Sequence, residues 1–143
     1  MTTPTTTTPS RIEKYFFTPI YYPHGAISVV KWWESRRLMF NVCIGAAGVT
    51  TIAATQLLGA LPPHGVIPNV GMFLFIVPLY GVLANICYTL GAPADLLLRR
   101  FLGDRAATAG PVLFRYGFVF SVGLTLLPIP LAAIGWVIRL LTR

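Results

Sequence analysis

Residues 38–94 read LMFNVCIGAAGVTTIAATQLLGALPPHGVIPNVGMFLFIVPLYGVLANICYTLGAPA, 57 consecutive positions without a lysine, arginine, aspartate or glutamate. A soluble fold has to give a run of that length a wet face, and this one has none to offer. An apolar helix needs about 20 residues to cross the hydrocarbon core of a bilayer. The stretch therefore holds two crossings and a short connection. Pro62, Pro63, Gly65 and Pro68 place that connection, because such residues break a helix and favour turns. The expected spans are 38–61 and 69–90, the second kinked at Pro78, where the ring removes a backbone donor.

Working outward, residues 116–138 form another charge-free stretch. Pro111 is expected to open a last helix that crosses at 114–138 and bends at Pro128 and Pro130. The alternative is two spans followed by a final helix that only dips into the membrane; three is the better number, because membrane spans tolerate proline where neighbours satisfy the freed backbone groups. Composition agrees: 10% of residues are charged, against about a quarter in a soluble domain. The expected fold is an all-α integral membrane protein with three transmembrane helices and interfacial amphipathic helices, its membrane domain covering 38–143.

The flanks read differently. Residues 1–10 are almost entirely Thr and Pro, a tail too polar to bury itself and expected to be disordered. Residues 11–37 are aromatic and basic, as suits the headgroup layer. From 26 onward Ser28, Lys31, Glu34 and Ser35 fall on one side of a helix and Ile27, Val30 and Trp33 lie away from them, the pattern of an interfacial helix leading into the first span. A second interfacial helix is expected at 93–102, after Gly91 ends span two. Pro93 suits its first turn, and Asp95 its positive end. With the first apolar stretch starting so late, the first span is expected to act as an uncleaved signal anchor.

Charge sets the expected orientation. Arg11, Lys14, Lys31, Arg36 and Arg37 precede span one, and Arg99, Arg100, Arg105 and Arg115 lie between spans two and three. The first connection carries no charge, and Arg139 and Arg143 follow the last span. Basic loops stay cytoplasmic, so the N-terminus is expected inside and the C-terminus outside. Trp32, Trp33, Arg36, Arg37, Arg99, Arg100 and Trp136 are the expected anchors to the lipid bilayer and its anionic headgroups. The net charge of +7 does not point to nucleic acid, because these residues border apolar spans rather than cover one wet surface.

Chemistry is sparse. His24 and His64 fall on opposite sides of the expected membrane and cannot share a metal within one chain. Glu13, Glu34, Asp95 and Asp104 form no pair suited to acid–base work, although Asp95 can meet Arg99 one turn on. Cys43 and Cys87 are too few for a disulfide framework and read as packing residues. No catalytic residue, metal or cofactor is expected. Within the spans, small and polar residues recur at steps of three and four: Gly48, Thr51, Thr55 and Gly59; Pro78, Gly81, Asn85 and Thr89; Gly117, Ser121, Thr125 and Pro128. Such stripes let helices approach and bond across the gap, so they are expected to form the inter-helix seam. The competing reading, a substrate path lined by Asn41, Gln56 and Asn85, lacks the ionisable groups that transport usually places within spans.

The segment Lys31-Trp32-Trp33-Glu34-Ser35-Arg36-Arg37, followed by Phe40-Asn41, resembles the opening of small uncharacterised bacterial polytopic membrane proteins, and residues 84–91 are similar to such sequences too. The resemblance implies a small helical protein of the bacterial inner membrane and carries over no activity or binding residue. The functional expectation is a non-enzymatic accessory or scaffold subunit that associates with other membrane subunits or itself. The alternatives are a component of an oligomeric transporter or channel and an enzyme acting at the cytoplasmic face through Asp95, Asp104 or His24.

Overall fold

The computed structural model describes residues 25–63, 65, 70–106 and 108–142; the 1–10 tail, His24 and His64 lie outside them. The described residues form helices and connecting turns, without a strand. Helix α1 spans Ala26–Ala60, α2 spans Val70–Leu102, α3 spans Ala109–Leu126 and α4 spans Pro128–Leu141, with a single 3-10 turn at Gly103–Ala106. Three stretches are long and apolar enough to cross a membrane: Ala26–Ala60, Gly71–Leu102 and Ala109–Leu141.

Local sequence explains the boundaries. α1 contains no proline and ends where Leu61 turns extended, at φ −68° and ψ 142°. Pro62 follows it, and a residue before proline is pushed out of the helical region. Between α3 and α4, Leu127 keeps helical angles, φ −53° and ψ −35°. Pro128 and Pro130 lack the N–H groups that the carbonyls four residues earlier would accept. The ladder is therefore interrupted at this point, and the last apolar stretch reaches from Ala109 rather than from 114.

Cross-helix contacts fix the topology. Trp33 of α1 meets Tyr88 of α2 and Phe114 of α3, while Trp136 and Arg139 of α4 reach Pro62 and Leu58 at the far end of α1. α1 thus runs parallel to α3 and α4, with α2 antiparallel to them. The first basic segment and the α2–α3 connection consequently share one end of the bundle, with Arg139 at the other.

Two expected interfacial helices are not separate elements. Residues 26–37 are the first third of α1, and 93–102 are the last third of α2, with Gly91 and Pro93 inside it. Pro93 sacrifices one backbone bond, but its ring is exposed and the helix continues through it. At 1.5 Å per residue, α1 and α2 are each about 50 Å long, well beyond a hydrocarbon core of about 30 Å. Their Trp33 ends form a three-helix extension packed on itself. The buried face of α1 is Val29, Trp33, Arg36, Phe40, Ile44 and Thr51, spaced at three and four with one skipped turn. Of the three residues placed away from the polar side of this segment, Trp33 is buried whereas Ile27 and Val30 are exposed.

Candidate functional site

The centre of the bundle's basic end is a tryptophan between a carboxylate and a set of rings. Trp33 is 4% exposed. Its ring stands edge-on to Trp32, Tyr88 and Phe114, with centroids 5.5, 5.5 and 5.9 Å away. Phe40 and Phe118 continue the cluster along the axis. Edge-to-face pairs of this kind contribute about 0.5–1.5 kcal/mol beyond the area they bury. The Tyr88 hydroxyl donates to the Trp33 carbonyl at 2.6 Å, tying α2 to the backbone of α1.

Asp95 is completely buried. Its Oδ2 accepts the indole N–H of Trp33 at 3.3 Å, and its Oδ1 accepts Nε of Arg99 at 2.8 Å. Burying a carboxylate is expensive unless it is paired and hydrogen-bonded, and here both oxygens are engaged. Two glycines make room. A side chain at Gly91 would overlap the Trp33 ring, and a Cβ at Gly110 would stand 2.5 Å from Asp95 Oδ2. α1, α2 and α3 therefore close on one carboxylate: Trp33 donates to it, Arg99 neutralises it, and the backbone at Gly110 lids it.

This placement corrects three sequence expectations. Asp95 is not a wet residue at a helix start but lies inside a 33-residue helix. Trp33 and Arg36 are not lipid anchors: Arg36 is 7% exposed, stacks on the Trp32 ring at 3.9 Å and donates to the Trp32 carbonyl at 3.1 Å. The Asp95–Arg99 pair forms within α2 in a buried setting, and the bond that crosses to α1 is the one from Trp33 to Asp95. The clue lay in 91–94, Gly-Ala-Pro-Ala, a run of small residues before a lone carboxylate.

The expected seam is present in part. Thr51 of α1 donates to the Thr125 carbonyl of α3 at 2.7 Å. The hydroxyls of Tyr80 and Thr125 lie 2.6 Å apart, and Tyr80 also donates to the Ser121 carbonyl at 3.3 Å. Asn85 donates to Asn41 across α2 and α1 at 3.0 Å. Thr55 bonds back to its own helix, and Thr89 accepts from Arg37 at 3.1 Å. Gly48 and Gly81 lie open, since a Cβ at either would meet nothing within 4 Å. Stripe spacing finds residues on one face but cannot tell which face a neighbour covers; the close approaches are at Gly91 and Gly110. Gln56 Oε1 and Trp32 Nε1 are buried without a hydrogen-bond partner among the described residues.

Among the other anchors, Arg37 pairs with Glu34 at 2.7 Å, and Arg100 is exposed. Trp136 donates to the Pro62 carbonyl at 3.0 Å, which ties the first connection to α4. Cys43 and Cys87 are free thiols. Cys87 borders an apolar cavity of about 130 Å³ beside Trp33, Phe40, Tyr88 and Phe114. Among the described residues no three of His, Cys, Asp or Glu cluster so as to hold a metal ion.

The Asn41–Asn85 bond offers a contrast with the carboxylate site. Interhelical hydrogen bonds in membranes average about 0.6 kcal/mol, so Asn85→Leu is expected to lower the melting temperature in detergent by only a degree or two. A loss as large as that for a clamp residue would show that the amide pair is a keystone.

Comparison with known proteins returned no matching family model, no similar curated protein and no similar solved structure.

Proposed function

We propose that this chain is a non-enzymatic accessory or scaffold subunit of a bacterial inner membrane, crossing it three times with the Trp33 end in the cytoplasm. The observation that carries the reading is the fate of Asp95. The one buried carboxylate among the described residues is spent on Trp33 and Arg99 and covered by Gly110, so it closes a bundle instead of facing a substrate. Asn85 is likewise engaged by Asn41. The outer surface supports association, because large apolar side chains such as Leu74, Phe75, Tyr116 and Phe120 point away from the bundle, available to lipid or to other membrane helices.

Purification from native membranes in mild detergent tests the reading. A partner recovered in constant stoichiometry, or a defined homo-oligomer, is the expected result; a reproducibly solitary monomer would overturn it. For orientation, a periplasm-active reporter fused after Arg143 should be active and one fused near Gly103 silent, and the reverse pattern would refute the assignment. A part in an oligomeric transporter draws support from the open face that carries Asn85 and Thr89. Liposome flux that survives Asn85→Leu combined with Gln56→Leu would remove those residues from such a path.

A further inference from the structure

On the outer side of α2, residues 78–90 border an open groove of about 700 Å³ with Arg37 of α1 at one end. Pro78, Gly81, Val82, Asn85, Ile86 and Thr89 succeed one another at steps of three, one, three, one and three, which is a single helical face. The groove exists because Gly81 contributes no side chain to it; a Cβ there would project into open space. From Pro78 to Thr89 the helix rises about 16 Å, roughly half the hydrocarbon thickness of a bilayer. A partner helix would use the full thickness. The groove is one leaflet deep.

One end carries the Arg37 guanidinium, ion-paired with Glu34 at 2.7 Å. The Arg37 bonds to Glu34 and Thr89 both leave from Nη2, and its Nε is buried out of a ligand's reach. A guanidinium carries five donors in a planar fork suited to a phosphate, so with Nη2 serving Glu34 and Thr89 the two donors on Nη1 remain for it. A second copy of the chain packed face to face here would bring two Arg37 side chains to the same depth, which charge opposes. A molecule with an anionic head and an apolar chain about one leaflet long satisfies both ends.

We propose that this groove seats one anionic phospholipid of the leaflet at the Trp33 end, its phosphate on Arg37 and an acyl chain along Gly81, Val82 and Ile86. The proposal rests on the membrane placement above, but not on the accessory role: a solitary monomer would leave it standing, whereas a chain that stays folded and monomeric in plain buffer would remove the membrane placement itself.

The test uses the full chain in mild detergent, with native mass spectrometry counting retained lipid and tryptophan fluorescence confirming that each variant folds. Phosphatidylglycerol and phosphatidylcholine with identical acyl chains are compared, alongside inorganic phosphate. Wild type should retain phosphatidylglycerol about fivefold better, the preference that one well-placed arginine gives, and phosphate alone should not stabilise it. Arg37→Gln should abolish the preference, and Arg37→Lys should keep part of it. Gly81→Leu, whose Cβ would meet nothing within 4 Å, fills the groove and should weaken retention of both lipids while the variant still folds. Equal retention of the two lipids by wild type, an unchanged preference in Arg37→Gln, stabilisation by phosphate alone, or a disulfide between two chains carrying Ile86→Cys would each overturn the proposal.

Discussion

Replacing Asp95 with alanine is expected to lower the unfolding free energy of the bundle by about 3–5 kcal/mol, the cost of removing one partner from a buried ion pair. The loss has three sources. Arg99, with a side chain only 18% exposed, loses its carboxylate. The buried indole N–H of Trp33 loses its acceptor, which carries a penalty of about 1–3 kcal/mol. A void opens between α2 and Gly110. Asp95→Asn separates these effects, because it keeps the volume and an acceptor for Trp33 while removing the charge. It should fall between alanine and wild type. The decisive comparison is Asp95→Leu combined with Arg99→Leu. A buried pair replaced by apolar residues is often neutral or better, so the double variant should recover most of the stability lost by Asp95→Leu alone. Thermal unfolding in detergent, followed by tryptophan fluorescence, reads all four. If Asp95→Ala melts within a degree of wild type, the carboxylate does not close the bundle, and the functional reading built on it loses its main support.

That carboxylate also marks where sequence reasoning stopped. The charge-free run at 38–94 forced the apolar helices, and Pro62 forced the end of α1, because both are local consequences of composition and backbone sterics. The distribution of basic residues likewise anticipated that the first segment and the α2–α3 connection lie together. Gly91 and Pro93 misled because each is a helix breaker when taken alone. Whether a helix passes through them depends on what packs against them, and Trp33 is 58 positions away from Gly91 in the chain. The same distance hid the role of Asp95. A lone carboxylate near an arginine reads as surface until the tertiary neighbour that buries it is known. The stripes fared unevenly for the same reason: Thr51, Asn85 and Thr125 meet facing helices, whereas Gly48 and Gly81 sit at the same spacing on open faces.

The other large effect belongs to Trp33. Trp33→Ala should cost about 3–5 kcal/mol, as expected for a large core aromatic cut to alanine, and should leave the Tyr88 hydroxyl its backbone acceptor while removing everything the indole touches. Trp33→Phe isolates the polar part. It keeps an aromatic face toward Tyr88 and Phe114 but gives Asp95 no indole donor, so it should cost about 1–3 kcal/mol. The fit between Trp33 and Gly91 then makes a stricter demand. Gly91→Val alone must push the ring aside and should be strongly destabilising, beyond the usual 1–3 kcal/mol or so of an overpacked core, because the obstacle is a planar ring held on three sides. In a Trp33→Ala background the same valine enters vacated space, so the two changes together should be less damaging than the sum of each alone. Residues in contact routinely show coupling of about 0.5–3 kcal/mol, and here its sign is fixed in advance. Strict additivity in the double-mutant cycle would mean that the indole does not lie over Gly91. The close approach of α1 and α2 at the bundle's basic end would then have to be held by something other than this ring.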